Sequence, residues 1–303
     1  MRNAFCQALI VLAQRRRFAF LTGDLGFMAL EPLREVMGEL FINAGVAEQN
    51  MVSVAAGMAS EGLPAWVYSI APFAYARPFE QIRNDVCSHR FDVKIVGNGG
   101  GYAYGSMGAT HHALEDYGAM LCLPHMRAYI PAFGSDVAPI VETMADTPSP
   151  SYLRLGRDEK PDGFTLPPYS GWRSIVSGGG PVIAVIGPIA GSLISKLTAM
   201  EEQKRPSFWV VSELPLEHNP PPAAFTADVK KSGALYIVEE HSAHGGLGEA
   251  LTRWLALAGG VPPRFGHFHA KGYLSGRFGS QRFHRKECGI DADTVLGVIM
   301  EGR

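Results

Sequence analysis

Two consecutive α/β domains, the first a doubly wound parallel sheet, are what this sequence predicts, and three observations carry the expectation. Short apolar, β-rich runs alternate with helical patterns along the whole chain. A proline- and glycine-rich stretch at 157–172, RDEKPDGFTLPPYSGW, breaks that alternation near the middle. A chain of 303 residues is also long for one hydrophobic core.

The elements follow in order. Phe5, Ala8, Leu9, Leu12 and Ala13 form one apolar face of an N-terminal helix, and Arg15, Arg16 and Arg17 suit the negative end of its dipole. The segment MRNAFCQALIVLAQRRR has one arginine before its apolar part and no small-residue cleavage site, so it reads as a folded helix and not as a targeting segment. Strands are expected at 18–22, 65–70, 93–96, 128–131 and 151–155, with helices near 46–60, 78–90, 113–121 and 135–146. After the break, strands are expected at 181–187, 208–211, 235–239 and 264–269, and helices near 190–202, 246–259 and 290–300. The domains are therefore 1–158 and 173–303, joined by a linker at 159–172.

Composition is that of an ordinary globular chain, 47% hydrophobic and 18% charged. A net charge of −2 gives no reason to expect nucleic acid or an anionic membrane as partner, and no apolar run is long enough to span a bilayer. Cys6, Cys87, Cys122 and Cys288 are scattered without a CxxC pair, which favours free thiols in a cytoplasmic protein over a disulfide framework or a zinc site.

The most informative stretch is 41–56, FINAGVAEQNMVSVAA: a strand end, a turn at Gly45 and a helix whose first turn carries Glu48 among apolar and small residues. On pattern alone the plainer reading is a carboxylate decorating a helix N-terminus. Ligands of such sheets bind beyond the carboxyl ends of the strands, which sets Asp24, Ser69 and the glycine run 97–101 at functional edges. That run lacks both the GxGxxG spacing and the P-loop lysine, leaving a close-packed loop and a ligand-lining loop both open. His267, His269 and His284 lack metal-site spacing and are expected at the surface.

Five segments, in order, resemble the transketolase family and 1-deoxyxylulose-5-phosphate synthases. GVAEQNMVSVAAGMASEG (45–62) is similar to the helix bearing the cofactor-activating glutamate, and YSIAPFAYARPFEQIRNDV (68–86) to the aromatic segment after it. GSMGATHHALEDYGAM (105–120) is similar to the substrate-histidine loop, SYLRLGR (151–157) to the strand closing the pyrimidine-binding domain, and YIVEEHSAHGGLGEAL (236–251) to the C-terminal domain. The family's diphosphate-binding GDG motif and its later Asn, which hold the metal, have no match: Gly23-Asp24-Leu25 lacks the second glycine. The resemblance thus implies half of a split transketolase. Its partner chain would carry the GDG motif and the Mg2+ or Ca2+ ion, share thiamine diphosphate, and complete an α2β2 heterotetramer.

The resemblance also implies roles. Glu48 matches the carboxyl that binds the aminopyrimidine, where a dry site suits a shared proton. Phe73 is the best match for the ring beneath the pyrimidine, with Tyr68 and Tyr75 close by; Asp24 matches an acidic residue near the cofactor, or is a turn residue. His111 matches the histidine on the donor's oxygens, and Arg157 a phosphate-binding arginine, with Arg154 and Arg77 as further candidates. Met107 stands where transketolases carry an aspartate that reads an acceptor hydroxyl, and its side chain cannot hydrogen-bond a sugar. A specialised transferase of a two-carbon ketol unit between sugar-like substrates is the expectation. Two alternatives stay open: a decarboxylating subunit of a 2-oxo acid enzyme or deoxyxylulose-phosphate-type synthase, and a non-catalytic scaffold.

Overall fold

The computed structural model describes residues 1–26 and 28–302. Strands β1 (Ala19–Thr22), β2 (Phe41–Asn43), β3 (Ala65–Ile70), β4 (Val93–Asn98), β5 (Arg127–Tyr129) and β6 (Ser151–Leu155) are parallel and lie in the order β2-β1-β3-β4-β6-β5. Every residue of β1 and of β6 is buried, the signature of a sheet covered on both faces. The helices are α1 (Arg2–Ala13), α2 (Glu31–Met37), α3 (Glu48–Ser60), α4 (Ala71–Tyr75), α5 (Phe79–Gln81), α6 (Asp116–Leu121) and α7 (Val137–Asp146). Through Phe5, Leu9, Val137 and Ile140, α1 and α7 cover the face carrying Phe20, Trp66, Tyr68 and Leu153. Through Met51, Val52 and Ala55, α3 covers the opposite face, with Leu21, Val67 and Ile95.

The second sheet comprises β7 (Trp172–Val176), β8 (Val182–Ile186) and β9 (Ser207–Val211), then, beyond a short strand β10 (Glu213–Leu214), β11 (Ala234–Glu239) and β12 (Arg264–Phe268). Its order is β12-β11-β8-β9-β7, parallel except for β7 against β9. Helices α8 (Ile189–Thr198), α9 (Ala223–Ser232), α10 (Leu247–Leu257), α11 (Gln281–Cys288) and α12 (Ala292–Glu301) enclose it. Among the described residues no helix is long and apolar enough to cross a membrane.

Three departures from the sequence expectation have physical causes. Trp172, expected as the last linker residue, opens β7: WRSIV pairs as an edge strand, with Trp172 and Val176 buried and Ser174 exposed. The two residues of β10 leave the second sheet and pair antiparallel with β5 of the first, Glu213 opposite Tyr129 and Leu214 opposite Ala128. So short a pairing leaves no periodicity to read. The helix expected over 78–90 is divided into α5 and a wider turn at Ile82–Cys87, preceded by α4. Pro78 lacks an N–H and disfavours helical backbone at Arg77, so the chain turns between α4 and α5.

His284 is a fourth correction. Expected at the surface, it is buried and stacked on Tyr102 with ring centroids 4.8 Å apart. His267 likewise points inward, its Nε2 2.7 Å from buried Glu239.

Candidate active site

Strand order reverses beside β1: β2 lies on one flank and β3, next in sequence, on the other. Such a switch point opens a crevice at the carboxyl ends of the strands, between loops that diverge to opposite sides. Glu48 sits there, because the loop from β2 turns at Gly45 (φ +72°) and starts α3 directly. Its carboxylate is 4% exposed and receives two donors. The Ser69 hydroxyl, at the end of β3, donates to Oε1 at 3.3 Å. One terminal nitrogen of Arg77 lies 2.9 Å from both oxygens.

Phe73 forms the next wall. On α4 it lies beneath the Arg77 guanidinium, whose carbon is 3.8 Å from the ring centroid. The same ring meets His111 edge-on, with centroids 5.2 Å apart. His111 belongs to a loop shaped by Gly105 and Gly108, both at positive φ, and its N–H donates to the Gly108 carbonyl at 3.0 Å. Thr110 Oγ1 holds His111 Nδ1 at 3.0 Å. Tyr104 stands on the far side of His111, 5.8 Å between centroids, and accepts from Asn98 Nδ2 at 3.0 Å. Glu48, Arg77, Phe73, His111 and Tyr104 therefore form one continuous row, drawn from the start of α3, from α4 and the turn after it, and from the loop after β4.

The other expected site residues are distributed differently. Tyr68 precedes Ser69 on β3, and the pleat sends it to the opposite face. There it stacks on Phe5 at 5.9 Å, fully buried, and burial pushes its phenol well above the usual range. This corrects its placement beside the cofactor. Asp24 accepts from Asn43 Nδ2 at 3.0 Å, and the Asn43 side-chain oxygen takes the Gly45 N–H at 3.0 Å, so Asp24 braces the turn that presents Glu48. Met107 is 55% exposed on the histidine loop, and Arg157 is exposed just past β6 with Glu159 in electrostatic reach.

Arg154 is also corrected. It is buried in the joint between the sheets, 3.3 Å from Asp116 and donating to the carbonyls of Ala113 and Glu240. Its guanidinium is thus spent on the joint and only 5% of the residue is exposed. The glycine run behaves as the close-packed alternative: a side chain at Gly100 would strike Arg154 and one at Gly101 would strike Glu240. Across the joint, buried Glu239 accepts from Tyr117, His267 and the N–H groups of Leu247 and Gly248. Burial pushes the Glu239 carboxyl up, yet these bonds and the charges of His267 and His241 hold it below its ordinary value.

Sequence reasoning places Ser69 only at an edge and does not join Arg77 to Glu48. The available signal is the proline after Arg77. Tyr104 escapes notice inside GYAYG, where a tyrosine between glycines reads as loop.

A buried carboxylate, an aromatic ring and a histidine meet at the switch point of a doubly wound α/β sheet. Residues 1–161 match the family described as "Transketolase, pyrimidine binding domain", and the chain belongs to that family. The chain is 34% identical over 163 residues to a subunit of apulose-4-phosphate transketolase from Phocaeicola vulgatus, covering 53% of this chain and 52% of that one. To the subunit of the same name from Actinobacillus succinogenes it is 28% identical over 279 residues, 89% of this chain and 87% of that one. It is 27% identical over 280 residues to 1-deoxy-D-xylulose-5-phosphate synthase of Myxococcus xanthus, covering 88% of this chain but only 45% of the synthase. A solved structure titled "Split gene transketolase, inactive beta4 tetramer" superposes with a TM-score of 0.82 at 26% identity, covering 99% of this chain and 96% of that one.

Proposed function

We propose that this chain is one subunit of a two-chain, thiamine-diphosphate-dependent transferase that moves a two-carbon ketol unit between sugar or sugar-like substrates. The partner chain supplies the GDG motif and its Mg2+ or Ca2+ ion, in an α2β2 assembly, and the first domain's limit at 158 belongs to the same reading. The transketolase family implies dependence on thiamine diphosphate. The two apulose-4-phosphate transketolase subunits support a divided enzyme.

One observation carries the reading: Glu48 is almost wholly buried, yet its donors, Ser69 and Arg77, are both side chains. A carboxyl in that setting suits binding to a ring nitrogen and sharing a proton with it. Phe73 offers the face against which such a ring would lie. When bound, the cofactor supplies the electron sink needed to break and remake a carbon–carbon bond beside a ketone. This chain's residues do the rest. Glu48 holds the pyrimidine end and keeps a proton at its carboxyl. His111, its Nδ1 anchored by Thr110, holds or moves a proton at a substrate oxygen through Nε2. Arg157 remains exposed for an anionic group, while Met107 offers no hydrogen bond to an acceptor hydroxyl.

The test is co-expression with a chain that contains the GDG motif, followed by coupled assays with ketose donors and with pyruvate. Turnover of a ketose with an aldehyde acceptor is expected. Turnover of pyruvate alone would favour the decarboxylating alternative.

A further inference from the structure

We propose that the Arg77 guanidinium is an internal stand-in for the ring ligand, which must displace it to bind. The inference rests on the proposed cofactor site. In this chain Arg77 already occupies both positions that an aminopyrimidine would take there. It donates to Glu48 at 2.9 Å, and its guanidinium carbon sits over Phe73, 3.8 Å from the ring centroid. A guanidinium carries the planar N–C–N edge that an aminopyrimidine also presents, so one cleft accommodates either.

The hold is built to be released. A guanidinium grips a carboxylate best with two nitrogens on two oxygens, but Arg77 spends one terminal nitrogen on both oxygens of Glu48. Its side chain is 43% exposed against 4% for Glu48, so water screens the pair and offers the cation somewhere to go. Arg77 also lies between α4 and α5, outside both helices.

Release alone is unfavourable. Without Arg77, Oε1 keeps only Ser69 at 3.3 Å and Oε2 has no donor among the described residues, leaving a buried carboxylate unsatisfied. The exchange therefore succeeds only for a ligand that brings to Glu48 a ring nitrogen able to share a proton with the carboxyl, and a ring to Phe73, together. Until then Arg77 occupies the place that another cation would take. The apparent affinity for the ring is lowered by the fraction of chains in which Arg77 has withdrawn.

The experiment titrates the full chain with the cofactor's pyrimidine half, the free hydroxymethyl aminopyrimidine, by calorimetry. Arg77→Ala should bind it about tenfold more tightly than the unmodified chain. Arg77→Gln, a milder change that guards against misfolding of the first variant, should shift binding the same way. In the unmodified chain, saturating probe should move the Arg77 Nε–H resonance to its solvent-exposed position. Equal, weaker or undetectable binding by both folded variants would overturn the stand-in role. Failure of the cofactor reading looks different: Glu48→Gln added to Arg77→Ala would then leave probe binding unchanged, whereas the proposal expects it to be lost.

Discussion

The ring of Phe73 meets the imidazole of His111 edge-on, with centroids 5.2 Å apart, although one residue belongs to α4 and the other to the loop after β4. One face of Phe73 is covered by Arg77 and its rim by His111, so the ring connects the carboxylate end of the cleft to the histidine end. A change at Phe73 should therefore be felt at both.

Phe73→Ala removes the stacking surface. In a reconstituted two-chain enzyme, cofactor affinity should fall by about 1 kcal/mol or more, roughly fivefold in Kd. Phe73→Tyr, which keeps the ring, should restore most of it. Calorimetric titration with thiamine diphosphate measures both, and unchanged affinity in the alanine variant would remove Phe73 from the site.

His111→Ala should lower kcat/KM for ketose donors by about 10²- to 10⁴-fold, the usual range for loss of a general acid–base group. Thiamine diphosphate affinity should change far less. A variant that loses the cofactor as strongly as the substrate would show that His111 acts only by packing on Phe73.

Arg154 gives a prediction of the opposite kind. Arg154→Met leaves buried Asp116 with Tyr152 but without its cation, and frees the carbonyls of Ala113 and Glu240. Breaking a buried pair in this way costs about 3–5 kcal/mol, read as a lowered urea midpoint. A stable variant with a selectively raised KM would instead return Arg154 to substrate binding.

Acid sensitivity follows from the joint. His241 Nδ1 donates to the Ser242 carbonyl at 2.9 Å and Nε2 accepts the Gly118 N–H at 3.2 Å, so a second ring proton would meet a donor. Burial keeps its pKa below the ordinary 6.5, against the pull of Glu239 and Asp116, and Arg154 adds to the lowering. Burial lowers His112 and His284 as well. For each, the unfolded chain takes up its proton first as pH falls, so stability present above the ordinary value is lost below it. Raised carboxyls at Asp136 and Glu159 act in the reverse sense, in the more acidic range. Unfolding free energy should therefore drop as pH falls through and below the ordinary histidine value of 6.5, by up to about 1.4 kcal/mol per pH unit for each such histidine. His241→Gln should flatten that slope, and an identical slope in the variant would contradict the assignment.

The fold is legible wherever burial on both faces leaves a continuous apolar run. The strands at Ala65–Ile70 and Ser151–Leu155 appear where expected, to the residue. What escapes is set by contacts between distant segments. The pairing of Leu214 with Ala128 and the burial of His284 against Tyr102 have no local pattern. α11 goes unseen because QRFHRKEC is too polar to show an apolar stripe. At the site, the helix start at Glu48 is readable from its turn and its surroundings. Tyr68 is misplaced because proximity in sequence does not decide the face of a strand, and one step along the pleat separates it from Ser69. Arg154 and Arg157 look alike as cations on one strand end, but only the first is enclosed by the second domain.

Whether Glu48 activates a cofactor shared with another chain is decided by the ketol-transfer rate of the reconstituted complex carrying Glu48→Gln. Glutamine keeps the shape and hydrogen-bonding capacity of the side chain but cannot hold or give up the proton. The variant should assemble, bind thiamine diphosphate and lose activity by about 10²-fold or more. Full activity in the assembled variant would contradict it, leaving this chain a scaffold for a site built elsewhere.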